Sequence, residues 1–196
     1  SSRSHFLALL VGRPHDAASD PGAAASIDDV IKHAEKSPAD EKLFAASHDE
    51  LQKVIENDFH MTLDAGDKKT LELAHRAFFK GQLDLRFELE KKNGRLYPQL
   101  RELLGATDLA GKKTGFLATE ESFRFVQTME KEGRVVPVVG DFAGDRAMPG
   151  VAAAIREKGL TVSAFYVSNV EQYLFENNVW ARWAKNIAAL PTDEKS

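Results

Sequence analysis

The residues best placed to do chemistry follow short apolar runs, where small and polar side chains begin abruptly. The first group is Gly140-Asp141-Phe142-Ala143-Gly144, after the run Val135-Val136-Pro137-Val138-Val139. Two glycines around an acid permit a tight turn with exposed N–H groups, and a carboxylate there could hold a ribose hydroxyl, a substrate amine or a proton in transit. The second group is Tyr166, Ser168, Asn169, Glu171 and Gln172, at the end of Val162-Ser163-Ala164-Phe165-Tyr166-Val167. Each has a plainer reading beside the chemical one. Asp141 serves equally as a turn cap, Asn169 and Gln172 have the spacing of a capping box, and Glu171 suits the positive end of a helix. The glycine turn is not GxGxxG and lacks the Lys and Ser/Thr of a phosphate-binding loop.

Several chemistries are disfavoured by what the 196 residues contain. The absence of cysteine removes disulfides, thiolate nucleophiles and Cys-based metal sites. All six histidines, His5, His15, His33, His48, His60 and His75, precede residue 76, and no pair has the i, i+4 spacing of a helical metal site, so no metal is expected. There is no G-x-S-x-G elbow for a hydrolase. A net charge of −4 without a clustered basic face argues against nucleic acid as a partner. No apolar run approaches the roughly 20 residues needed to span a bilayer, so a membrane is not an expected partner and a cytoplasmic location is the default.

The elements that must position these residues fall into two regions: a helical one over 1–113 and a βαβ one over 114–196. Residues 1–11 read as a helix stopped by Gly12-Arg13-Pro14, and 15–25 as a loop. Ser26 is a good N-cap, with Asp28 and Asp29 in the first turn, for a face of Ile27, Val30, Ile31 and Ala34. Further helical pieces carry Leu51, Val54 and Ile55, then Leu71, Ala74 and Phe78, with Asp64-Ala65-Gly66-Asp67 as a turn between them. Leu83, Leu85, Phe87 and Leu89 alternate with charges, the period of a half-exposed strand.

In the second region Thr119 caps a helix with Phe123, Val126 and Met129 inward, ending at Gly133. A strand over 135–139 follows, although Pro137 removes a ladder donor and suits an edge. A helix from Ala147 to Lys158 and a second strand over 161–167 complete a unit with room for a right-handed crossover. Helices carrying Val170 to Phe175 and Trp180, Trp183 and Ile187 close the chain. The expected fold class is α/β, a partial Rossmann-like parallel sheet with a mostly helical N-terminal half.

The segments Phe116-Leu117-Ala118-Thr119-Glu120-Glu121, Val135-Val136-Pro137-Val138-Val139-Gly140-Asp141 and Ala164-Phe165-Tyr166-Val167-Ser168-Asn169-Val170-Glu171 resemble a family of uncharacterised bacterial proteins with the fold of S-adenosylmethionine-dependent methyltransferases. The resemblance implies that residues 1–113 are largely a helical insertion, that 135–141 corresponds to a fourth strand and that 161–167 corresponds to a fifth. It also implies earlier strands, carrying the cofactor contacts, that are not in these 196 residues. S-adenosylmethionine is the cofactor it implies. Gly140, Asp141, Phe142 and Ser168 would then lie on the cofactor side, and Asp141, Tyr166, Asn169 and Glu171 would serve the acceptor.

Two functions follow as expectations. One is methyl transfer to a small molecule or protein, dependent on segments outside this sequence. The other is a non-catalytic scaffold or interaction protein whose partner is a polypeptide, a second copy, or the missing half of the same fold.

Overall fold

The computed structural model describes residues 2–86, 97–168 and 170–193. Helix starts are set by short polar side chains that take up otherwise unpaired N–H groups. Ser2 accepts from the His5 amide to begin α1 (Arg3–Leu10). Ser26 and Asp29 form a reciprocal capping box at the start of α2 (Ile27–Glu35). Asp40 accepts from the amides of Lys42 and Leu43 at α3 (Glu41–Lys53), which runs into a π-helical turn, Val54–Asp58. A second capping box, Asp64 with Asp67, opens α4 (Ala65–Gly81), so the expected turn over 64–67 is the first turn of a helix. Then come α5 (Leu100–Leu104) and α6 (Glu120–Lys131), the latter capped by Thr119. Gly133, with φ of 62°, takes the left-handed conformation that ends α6.

These elements belong to a compact unit covering Ser1–Arg134. Its core is Leu7 of α1 and Val11 just after it, Ile27 and Val30 of α2, and Leu83, Leu104, Leu117 and Phe123 from later segments. Arg3 is buried among them at 1% exposure. Its guanidinium donates to the carbonyls of Leu117, Ala118, Ala23 and Ala25 at 2.9–3.1 Å and to Glu120 at 3.2 Å. A buried charge is tolerated when its donors are all used. Arg3 thereby ties α1 to two distant loops.

The second unit covers Val135–Ser196 and contains α7 (Ala147–Glu157), α8 (Val170–Glu176) and α9 (Trp180–Ala188). Two small apolar clusters hold it together. Ala143 and Leu174 pack with Trp183; Met148 and Ala152 pack with Leu190; Ile187 of α9 touches both groups.

The parallel sheet is where expectation and structure part. Among the described residues the only β pairings are two isolated antiparallel bridges, Arg86 with Gln99 and Thr107 with Lys113. Residues 135–139 and 161–167, expected as parallel strands, carry no ladder, and the Rossmann-like arrangement is corrected to a helical one. The reason lies in pairing. A β-branched apolar run supplies suitable side chains, but a strand forms only where another strand meets its main chain. Here Pro137 lacks a donor, and the Val162 amide bonds the Pro191 carbonyl at 2.8 Å, in the tail beyond α9. Of the expected strand over 83–89, Leu83 lies in a 3-10 turn and Arg86 in one bridge, while Phe87 and Leu89 fall outside the described residues.

Candidate functional site

The second unit contains a cavity of 830 Å³ between residues 136–141 and α7. One wall is Val136, Val138, Val139 and Gly140; the other is Ala147, Val151, Ala154 and Ile155. The α7 residues recur at intervals of three and four, and so share one face. Beside them on the helix, Met148 and Ala152 pack with Leu190, and Val151 and Ile155 touch that cluster as well as the cavity. Asp141, Asp145, Arg146 and Lys158 supply the polar groups of the lining. Ligand sites of this size are commonly apolar with a few polar groups.

The glycine turn is built for close packing. A Cβ on Gly140 would fall 2.3 Å from the Ala147 Cβ, so only glycine lets the chain approach the start of α7 there. The Asp141 carboxylate accepts from the Ala143 amide at 2.9 Å, and the Asp141 carbonyl accepts from the Gly144 amide at 3.1 Å. That is an Asx-type turn, the plainer of the two readings for Asp141. From α9, the Asn186 amide donates to the carbonyls of Phe142 and Gly144 at 3.0 and 2.9 Å, clamping the turn from outside.

Of the residues expected to form a site, Gly140 and Asp141 line the cavity. Phe142 is exposed beside it in the turn. Tyr166 is 89% exposed, Ser168 is also exposed and Glu171 is half-buried in α8; none of the three lines the cavity. Asn169 lies outside the described residues. Of the acceptor-side set, Tyr166 and Glu171 thus do not join Asp141 in the lining of this cavity. Sequence reasoning missed Asp145, Arg146 and Lys158, and the clamp from Asn186. Lys158 was within reach, since it follows Val151, Ala154 and Ile155 at helical spacing.

The first unit contains a second polar constellation. Asp20 accepts from the hydroxyls of Ser4 at 2.5 Å and Ser2 at 2.8 Å, from the Gly22 amide at 2.7 Å, and from His15 Nε2 at 2.8 Å. These bonds, Ser4's hydroxyl foremost, hold its carboxyl far below the usual carboxylate range. The residue types are those of a catalytic triad, but the wiring is not. In a triad the imidazole bridges nucleophile and acid through different nitrogens, whereas here Ser4 and His15 Nε2 meet the same Asp20 oxygen. The network fastens the 16–22 loop to α1. Among the described residues no group of three or more His, Asp or Glu side chains is arranged to hold a metal ion.

No helix among the described residues is long and apolar enough to cross a membrane. No curated protein and no solved structure matches the sequence. Nothing in these comparisons points to the methyltransferase-like family that the segments around Val135 and Tyr166 resemble, and the helical fold removes the sheet on which its Rossmann-like, methyl-donor description rests. The sequence model of one family matches residues 25–196, and the chain belongs to that family, described as Domain of unknown function (DUF7790).

Proposed function

We propose that the chain is an interaction module whose second unit receives an extended, apolar segment of a partner polypeptide along residues 135–139. One observation carries this reading: Val136, Val138 and Val139 are exposed, Val139 completely, on a run of high strand propensity with no ladder of its own. Such a run is an open template for strand addition, in which main-chain bonds give affinity and side-chain pockets give selectivity. The apolar face of α7 across the cavity supplies the pockets.

Proline selects the edge. Along an extended chain the main-chain groups of alternate residues point to the same side, so 135, 137 and 139 share one edge and 136 and 138 the other. Pro137 breaks the first edge, leaving the Val136 and Val138 edge for the partner. Methyl transfer is not carried forward, since the parallel sheet it required is absent among the described residues.

Fluorescence anisotropy with a dye-labelled, valine-rich extended peptide tests the reading. Saturable binding is expected, lost in Val138→Pro and retained in Val135→Pro, with circular dichroism confirming that both variants keep their helices. Equal binding by both variants, or no binding at all, overturns it. Heat on titrating S-adenosylmethionine into the chain would instead restore the methyl-donor expectation.

A further inference from the structure

We infer that His48 and His75 form a proton-operated latch between α3 and α4. Their Nδ1 atoms are 3.3 Å apart and their ring centroids 5.5 Å apart, so the nitrogens meet between the rings as in an N–H···N hydrogen bond. Such a bond needs one proton, not two. Gln52 decides which ring supplies it. Its amide nitrogen lies 2.8 Å from His48 Nε2 and, being a donor, makes that nitrogen an acceptor. The single proton of neutral His48 is then on Nδ1, facing the lone pair of His75 Nδ1.

A second proton at this contact, on His75 Nδ1, sets two N–H groups head to head, and the bond is lost. The surroundings offer it little relief. Burial foremost, then the neighbouring His48 ring and the Arg76 guanidinium, lower the proton affinity of His75. Arg76 lies 4.3 Å over the Phe44 ring, and its carboxylate partners are Glu41 of α3, at 2.7 Å, and Glu72 of α4, at 3.5 Å. Phe44, 1% exposed, packs against both imidazoles and against Phe79. From the chain just after α1, Gly12 lies against the Phe79 ring so closely that a Cβ there would overlap it.

The direction of the pH effect follows. Because His75 binds its proton less readily folded than unfolded, the latch contributes in full above the unfolded value of 6.5. That contribution is lost as pH falls below 6.5, and levels off beneath the lowered folded value. The latch therefore opens in acid.

Two measurements test it. Nitrogen-15 spectra of the histidine rings at pH 7.5 should show His48 protonated on Nδ1 and His75 on Nε2. Hydrogen exchange, corrected for its intrinsic pH dependence, should show α3 and α4 amides losing protection by up to about tenfold per pH unit below 6.5. His75→Gln should flatten that response while leaving any contribution of His5 in place. An unchanged response in His75→Gln, or two doubly protonated rings at pH 5 with α3 and α4 still protected, overturns the latch. Should His75→Gln not fold, the ring spectra of the unsubstituted protein decide alone.

Discussion

The two units treat their awkward residues in opposite ways. In the first, a guanidinium that belongs in water is taken inside and given five partners; in the second, valines that belong inside are left in water. A buried Arg3 is stable only because two loops, one about twenty and one more than a hundred residues away, offer their carbonyls, so it locks a finished structure. The exposed run over 135–139 forms no such bonds among the described residues. The contrast separates a region whose side chains complete one another from a region that still has bonds to offer.

Three substitutions would break or sharpen that contrast. Arg3→Met should destabilise the first unit by about 3–5 kcal/mol, because the carbonyls of Leu117, Ala118, Ala23 and Ala25 lose their buried donor. Urea unfolding followed by circular dichroism reads it; a loss below about 1 kcal/mol would mean that Arg3 is replaceable and the contrast shallow. Gly140→Ala should cost about 1–3 kcal/mol through its overlap with Ala147, and should narrow the cavity beside α7. Thermal unfolding of the variant would show a clear shift, and an unshifted transition would count against the close approach. Val139→Thr should change stability by no more than about 0.5 kcal/mol while reducing capture of the extended peptide. A large stability change there would show that the run is packed after all.

Much of the helical architecture is legible in the sequence because its determinants are local. Ser26 with Asp29, and Thr119, announce helix starts within four residues, and Gly133 and Gly159 mark stops by adopting positive φ. The presence or absence of a sheet is not legible in the same way, because strand pairing is not local. Val135-Val136-Pro137-Val138-Val139 has the composition of a buried strand, yet nothing in those five residues says whether a neighbour exists. The candidate site shares that limit. Gly140 and Asp141 were readable as a turn beside a ligand space, whereas Tyr166, Ser168 and Glu171 were grouped with them only through an assumed sheet. The burial of Arg3 had no sequence signal, since its partners are main-chain carbonyls, which any residue provides.

Pro137 has a consequence for solubility. An open run of valines is an invitation to fibril growth, in which each added chain exposes a fresh edge for the next. Growth of that kind needs two working edges, one to attach by and one to hand on. With the 135, 137 and 139 side deprived of its central donor, a stack of these chains would be interrupted at every copy. The same residue that makes this segment an incomplete strand makes it a poor seed for aggregation.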